Sequence, residues 1–467
     1  MFDHKTMTHP YLTMLYLGLI CWIPIPFGSN RAWAWSLMEI WIFVIAISIM
    51  ILSFQRNIPL LTGLLLKNAK PLLLLFVGFL VWTAVQLIPL PISWLEFVSP
   101  YAASIATVSG NTFSTISIDP DTTAKSLLKS LALVTFLFLM FILIDSHMKI
   151  RWLAYTILVS GLFQATYGSY MVLSGVEYTF FLEKEAYLGM ATGTFINRNH
   201  LAGYLEMVLA IGIGLLISNL SDNQSLGWRE RIRHLINTIL SPKAFIRLTL
   251  IMICIGLILT KSRMGNTAFF ISILTTGIIF LITARHATRS TSIFLSSIIV
   301  LDILLIGSWV GIDKVVQRIE STSFIEEHRD EVIRDTLTMI KDQPLTGIGS
   351  GNYFTAFSNY RQQDIWDNYY HAHNDYLEFS SESGLIGFLL LATAVLYSLL
   401  AAFQAMSKRH SPLLLGMAFA CMMGILSILI HSSVDFNLQI PANAAMFILL
   451  MGLAIITASA PHPYINR

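Results

Sequence analysis

Long apolar segments recur along this chain, and they limit its fold more than any other feature. Only 12% of the residues are charged, 55% are hydrophobic and the mean hydropathy is +0.68, so the chain lacks the polar residues that cover a soluble domain. Because a helix needs roughly 20 apolar residues to cross a bilayer, the sequence predicts an all-α polytopic membrane protein with about 12 transmembrane helices. The predicted spans are 11–27, 33–54, 71–90, 124–145, 150–173, 200–219, 246–262, 266–284, 292–311, 385–406, 412–431 and 439–458.

The net charge and the cysteines exclude several other classes of protein. The net charge is only +2, so no basic field indicates a nucleic-acid partner. The three cysteines, Cys21, Cys254 and Cys421, each lie inside an apolar run. Their spacing matches neither a metal site nor a disulfide framework, and we expect them to pack as small hydrophobic residues.

The distribution of Lys and Arg predicts the orientation of the spans. With a cytoplasmic N-terminus, the inner side holds 16 of these residues and the short outer loops hold 7. Cytoplasmic loops are enriched in Lys and Arg, so we expect a multi-pass protein with both termini in the cytoplasm. The first span has no small-residue cleavage site after it and is predicted to be a retained helix. No internal repeat is visible, which counts against a transporter.

Most of the predicted soluble chain lies in three outer loops. They span 91–123, 174–199 and 312–384, and the last is a large periplasmic loop between spans nine and ten. Two regions are predicted: N-terminal transmembrane helices over 1–190, and a second transmembrane region over 191–460 that includes the long loop.

The long loop is predicted to begin with an amphipathic helix at 326–341 that ends before Pro344. The glycine-rich stretch 345–353 follows. It resembles a phosphate-binding turn only weakly, because it has no Lys-Ser/Thr pair of a P-loop. Next come His371 and His373 among aromatic residues. A metal site is one interpretation of this pair, but two histidines need further ligands, and a general base is the better use of a neutral imidazole.

A few acidic residues lie at unusual positions. Glu39, Glu206 and Asp302 fall inside predicted spans, where a charge in contact with lipid is costly, so each should face the protein interior. Asp435 follows the eleventh span and is expected to pair with an arginine. No catalytic role is predicted for any of these acidic residues.

Several motifs resemble those of the O-antigen ligase family. His373-Asn374, followed by nine residues, Gly384, two residues and Gly387, is similar to that family's H-N-x9-G-x-x-G signature. Further matches occur in the family's order: LTKSRMG at 259–265, Arg329 fifteen residues before Pro344, GTFINRNHLAGYLEM at 193–207 and HSSVDFNLQIPANA at 431–444. The resemblance covers roughly 190–460.

The resemblance implies a GT-C-type membrane glycosyltransferase. The family uses a glycan on undecaprenyl diphosphate as donor and transfers it at the periplasmic face to an acceptor hydroxyl. The resemblance therefore implies a location in the bacterial cell inner membrane, with the active site on the periplasmic side. The acceptor is expected to be lipid A-core, as in an O-antigen ligase. Another lipid-linked glycan, as in O-antigen or exopolysaccharide polymerases, and a protein, as in O-oligosaccharyltransferases, remain alternatives. A non-enzymatic transporter is the alternative from a different class.

The resemblance also suggests roles for individual residues. We expect His373 to be the base, and Arg263 and Arg329 to hold the diphosphate in place of a metal, because guanidinium groups bind phosphate in a bidentate manner. No cofactor or metal is expected, and a single displacement would invert the anomeric centre. Residues predicted to contact substrate are Arg198, Asn199, Asn374 and His371, although Arg198 and Asn199 are equally well explained as the start of a helix.

Overall fold

The computed structural model describes residues 10–56, 63–220, 242–284, 290–293, 295–297, 329–362 and 369–459. Helices dominate these residues, and the strands are two residues long. The helices are α1 (Pro10–Trp22), α2 (Ala32–Arg56), α3 (Gly63–Val85), α4 (Ile92–Val98), α5 (Pro100–Val108), α6 (Pro120–Leu143), α7 (His147–Ser174), α8 (Arg198–Ser218), α9 (Pro242–Leu259), α10 (Arg263–Thr283), α11 (Arg329–Asp342), α12 (Tyr353–Tyr360), α13 (Asp375–Lys408), α14 (Pro412–His431) and α15 (Pro441–Ser459). Two antiparallel pairs connect β1 (Leu90–Pro91) to β2 (Phe113–Ser114) and β3 (Tyr178–Thr179) to β4 (Leu182–Glu183).

Eight helices in the described part of the chain are long and apolar enough to cross a membrane: α2, α3, α6, α8, α10, α13, α14 and α15. α1 and the stretch Ala244–Leu259 of α9 are shorter apolar helices. The prediction of an all-α polytopic membrane protein is therefore confirmed, whereas the number of twelve spans stays a prediction. The predicted ninth span, 292–311, lies mostly outside the described residues, and so does Asp302 within it.

The helix of the tenth predicted span begins at residue 375 in the structure, ten residues before the predicted start at 385. Helix α13 starts at Asp375, where the Asn374 side chain accepts a hydrogen bond from the Leu377 amide (3.1 Å) and so caps the helix. The first turns carry Asp375, Glu378 and Glu382, whose charges are typical of a loop. The structure buries all three to at most 6% exposure, so tertiary packing overrides their polarity.

The centre of the bundle is formed by α8 and α14, which lie against each other. Every residue of the apolar window of α8 is buried, as expected for a helix surrounded by others. Gly214 of α8 meets Gly416 of α14, and a Cβ on either would collide with the carbonyl oxygen of the other. This close approach of two backbones is typical of small residues at membrane helix interfaces.

Many helix ends meet at one end of the bundle, which we call the site end. Helices α8, α10, α13 and α15 begin there, whereas α3, α9 and α14 end there. Hydrogen bonds join these ends: Trp82 of α3 donates to the Ser383 carbonyl (2.7 Å), and Asn443 of α15 donates to the His200 carbonyl (3.0 Å). The helices thus alternate in direction as the predicted order of spans requires.

Candidate active site

The predicted His-Asn motif forms the turn that leads into α13. His373 adopts a left-handed backbone conformation (φ +50°), which is uncommon for a residue other than glycine. Asn374 follows as the helix cap, and its side-chain amide also donates to the Ser433 carbonyl (2.8 Å). The motif is therefore fixed between the start of α13 and the segment that follows α14.

Phe436 brings three histidines together. The His371 ring stacks on it at a centroid distance of 4.1 Å and an interplanar angle of 16°. His373 and His200 contact it edge-on, at 4.9 Å and 83° and at 4.6 Å and 76°. These residues come from the turn before α13, the first turn of α8 and the segment after α14. No local pattern in the sequence marks Phe436 for this role, because an aromatic residue in an apolar sequence gives no signal of its contacts.

Glu378 fixes the turn that carries the two motif histidines. Its Oε1 lies 2.7 Å from Nδ1 of His371, and its Oε2 accepts a hydrogen bond from the Ala372 amide (2.8 Å). Burial lowers the pKa of His371, but the adjacent Glu378 carboxylate outweighs that effect, so the pKa is raised. His371 therefore carries a positive charge over a wider pH range than an ordinary histidine, which suits contact with an anion better than proton acceptance.

Asp435 lies among histidines, and the prediction that it pairs with an arginine is wrong. Its Oδ1 is 3.7 Å from Nε2 of His200, and the carboxylate is 1% exposed. Burial raises its pKa, but the nearby imidazoles of His200, His431 and His373 outweigh burial and hold the pKa below its ordinary value. The site therefore places a fixed negative charge behind its histidines.

A second buried acid lies deeper between α8 and α14. Glu206 Oε1 is 2.9 Å from Nδ1 of His431, and its Oε2 accepts a hydrogen bond from Ser427 (2.5 Å). The side chains of Glu206 and His431 have no exposed surface. The prediction that Glu206 faces the protein interior is confirmed, and this pair links the two central helices.

Arg198 begins α8 directly beside the end of α9. Asn197 caps the helix by accepting a hydrogen bond from the Asn199 amide (2.8 Å), so part of the predicted Asn-Arg-Asn-His motif is structural. The Arg198 guanidinium contacts the Lys261 carbonyl (3.4 Å) and lies 5.8 Å from the Tyr187 ring centroid. Asn199 is half-buried at the first turn of this helix.

Arg263 is the first residue of α10, and its side chain is exposed. Ser262 caps the helix by accepting a hydrogen bond from the Gly265 amide (3.2 Å). Gly265 packs so closely on α8 that an added Cβ would lie 2.6 Å from the Cβ of Ala202. The starts of α8 and α10 are therefore adjacent, which places Arg198 and Arg263 on the same side of the site end.

Arg329 is the first residue of α11, within the stretch 326–341 where the sequence predicts an amphipathic helix. Its side chain lies outside the described residues. The rest of α11 packs through Val332 and Met339 against a small core that includes Ala372, between the two motif histidines. The helix is thus attached to the turn that carries the motif.

The glycine-rich stretch does not present its amides as a phosphate site. The amides of Gly347, Ile348 and Gly349 donate to the carbonyls of Gln343, Ser381 and Glu382 (3.1, 3.0 and 3.0 Å). At Gly384 α13 takes a φ of +62°, and an added Cβ would collide with the Leu345 carbonyl. These glycines allow two backbones to approach closely, so their role is to dock the loop on α13.

The described fold is thus that of a multi-pass helical membrane protein with histidines and arginines gathered at one end of the bundle. Residues 248–392 match the family model described as O-antigen ligase. The matched stretch contains Arg263, Arg329, His371, His373 and Asn374, and it confirms the resemblance that the motifs predict. A membrane enzyme of the O-antigen ligase and polymerase type is supported by this match. The comparison with curated proteins found no match.

Within the part of the chain that the structure describes, no group of three or more His, Cys, Asp or Glu side chains is arranged to hold a metal ion. The independence of the reaction from metal stays a prediction, as do the roles of the individual site residues.

Proposed function

We propose that this protein transfers a glycan from undecaprenyl diphosphate to an acceptor hydroxyl at the periplasmic face, and that it is an O-antigen ligase with lipid A-core as acceptor. One observation carries the proposal. The His373–Asn374 turn and the starts of α8 and α10, which bear Arg198 and Arg263, meet at the same end of the bundle, and His200 of α8 shares the Phe436 ring with His373. A base and phosphate-binding cations are thus available at one site.

The transfer is a single displacement at the anomeric carbon. The acceptor hydroxyl gives its proton to His373 as its oxygen attacks that carbon. The bond between the carbon and the diphosphate oxygen breaks, and undecaprenyl diphosphate leaves with the bonding electrons. The anomeric centre is inverted.

The charge that gathers on the leaving diphosphate is stabilised by Arg263 and Arg329. Guanidinium groups stay charged at every working pH and hold two phosphate oxygens at once. Fixed cations of this kind commonly supply a large part of transition-state stabilisation. The raised pKa of His371 favours its protonated form, which can donate a hydrogen bond to a phosphate oxygen, and Arg198, Asn199 and Asn374 line the substrate site.

A reconstituted reaction tests this function. The purified protein in nanodiscs should transfer glycan from undecaprenyl diphosphate to lipid A-core, and the His373→Ala variant should not. Extension of one lipid-linked glycan by another, with no transfer to lipid A-core, would make the protein a polymerase.

The phenotype of a gene deletion gives a second test of the acceptor. Loss of a ligase leaves long lipid-linked polymer and bare lipid A-core. Loss of a polymerase leaves single-repeat glycan. An unchanged lipopolysaccharide with a lost capsule would overturn the assignment as a ligase.

A further inference from the structure

A cavity of about 450 Å³ lies between α2, α3, α6, α13 and α15, and neither Arg198 nor Arg263 lines it. Its wall is mainly apolar and includes Phe76, Phe79, Leu133 and Phe447. Along α13 the lining residues run from Asp375 to Leu399 across the kink at Gly384, and the part after the kink, from Phe388 to Leu399, alone corresponds to about 17 Å of helix at the usual rise per residue. The cavity is therefore long and follows the direction of the membrane-spanning helices, which fits a hydrocarbon chain better than a compact ligand.

The cavity is polar where it reaches the site end of the bundle, and there it adjoins the candidate active site. Asp375 lines this end two residues after His373, and it is 1% exposed. Its Oδ2 accepts hydrogen bonds from Ser432 (2.6 Å) and from the Leu438 amide (3.1 Å). Its Oδ1 has no hydrogen-bond partner among the described residues. A buried carboxylate oxygen of this kind lacks the partner that native structures normally supply, and a ligand hydroxyl would satisfy it.

The hydrogen-bonding groups at the cavity favour a hydroxyl-bearing group over a diphosphate. Two carboxylates, Asp375 and Glu382, line it, whereas Arg198 and Arg263 do not. Lys129 is the one cationic lining residue that the structure describes, and it lies 4.3 Å from the Trp35 ring centroid and interacts electrostatically with Glu382 and Glu39. The oxygens of a diphosphate only accept hydrogen bonds and would leave Oδ1 of Asp375 without a donor, whereas a sugar hydroxyl can donate to it.

We propose that this cavity binds the hydrocarbon chain of a lipid-anchored acceptor saccharide, and that Asp375 accepts a hydrogen bond from one of its hydroxyls. This inference rests on the proposed function and adds to it where the lipid of the acceptor lies and which carboxyl group contacts its saccharide. The donor diphosphate lies on the side of Arg198 and Arg263, and the acceptor enters from the cavity on the other side of the His373–Asn374 turn. A protein acceptor has no hydrocarbon chain that could occupy this cavity.

Substitutions that narrow the cavity test the proposal. Ala392→Phe and Ala444→Phe add bulk at two lining positions, and Leu389→Phe is the matched control, because Leu389 lies on α13, is 52% exposed and does not line the cavity. Transfer is measured with the same saccharide on a long lipid and on a short soluble aglycone. We expect the cavity variants to raise KM for the lipid-anchored acceptor by about tenfold or more. KM for the soluble acceptor and for the donor should stay unchanged, and the control should match wild type. Equal effects on both acceptors, or no effect, would overturn the proposal.

Photocrosslinking tests the occupant without relying on activity. A photoreactive amino acid replaces Ala392 in the full chain, which is placed in phosphatidylethanolamine nanodiscs with lipid A-core, with undecaprenyl diphosphate or with neither. Capture of lipid A-core, reduced by unlabelled lipid A-core, supports the proposal. Capture of phospholipid that lipid A-core does not displace, preferential capture of undecaprenyl diphosphate, or no capture overturns it. If wild type transfers no glycan at all while lipid A-core is still captured, the proposed function fails, whereas the assignment of the cavity as a binding site for the lipid stands.

Discussion

The imidazole of His371 lies nearly parallel to the ring of Phe436, with their centroids 4.1 Å apart and their planes at 16°. The two residues belong to segments separated in sequence by the whole of α13 and α14. Since His373 and His200 contact the same ring, Phe436 fixes the relative positions of the motif turn and the first turn of α8. The packing of one apolar side chain thus assembles polar residues from three parts of the chain.

His373→Ala should remove most of the transfer activity. A positioned general base contributes roughly 10²–10⁴ in rate, and the loss should fall on kcat because the diphosphate is held by other residues. The measurement is glycan transfer in nanodiscs together with donor binding. His371→Ala is the control on the same turn and should be milder. Near-normal transfer by His373→Ala would show that His373 is not the general base.

Arg263→Ala and Arg329→Ala should weaken donor binding as well as turnover. Lys at either position should restore little donor binding, since an ammonium group cannot make the bidentate contact with phosphate oxygens. Binding of undecaprenyl diphosphate to the purified variants checks this. Arg31→Ala is a suitable control, because Arg31 is an exposed cation near the start of α2 that lies 5.8 Å from the Phe27 ring. Donor affinity equal to wild type in both Ala variants would contradict the proposed binding of the diphosphate by Arg263 and Arg329.

Loss of the Glu378 carboxylate should destabilise the protein in a pH-dependent manner. The pKa of His371 is raised in the folded state, so this histidine contributes stability that is fully present below its unfolded pKa of about 6.5 and is lost as the pH rises through the folded pKa. Glu378→Gln should therefore lower the melting temperature more at about pH 6 than at about pH 9.

The exposed Glu183 supplies the matched variant for that experiment, and Glu183→Gln should show little pH dependence. An equal loss of stability by Glu378→Gln at both pH values would mean that the carboxylate acts only through the Ala372 amide.

Activity should survive removal of divalent metal. The mechanism assigns the diphosphate charge to arginines, which chelation does not affect. Transfer should be the same after treatment with EDTA and dialysis as before. A loss that magnesium or manganese restores would show that a metal, rather than Arg263 and Arg329, stabilises the leaving diphosphate.

The long loop should be accessible from the periplasm and the stretch 220–245 from the cytoplasm. The excess of Lys and Arg in one set of short loops is the reason. Single cysteines at Asn359 and at Gln224, in a variant lacking the native cysteines, are exposed to an impermeant thiol reagent on intact cells. Asn359→Cys should be labelled, and Gln224→Cys only after permeabilisation. External labelling at Gln224 would reverse the orientation.

Local features of the sequence determined where most helices form. Apolar runs and the Pro344 break act within a few residues, so they can be recognised without knowing the fold. The same holds for the His373–Asn374 motif, whose spacing to Gly384 and Gly387 carries the family resemblance that the comparison confirms.

Only the tertiary structure decided what the polar residues contact. Asp435 lies beside His200 and not beside the predicted arginine, and the charged start of α13 is buried in the bundle and not part of a loop. A buried charge is stabilised by whichever partner the packing of distant helices brings to it, and that choice depends on positions that no local pattern encodes. Phe436 and Glu378 belong to the candidate site for the same reason: each contacts neighbours that are brought to it by the packing of the helices.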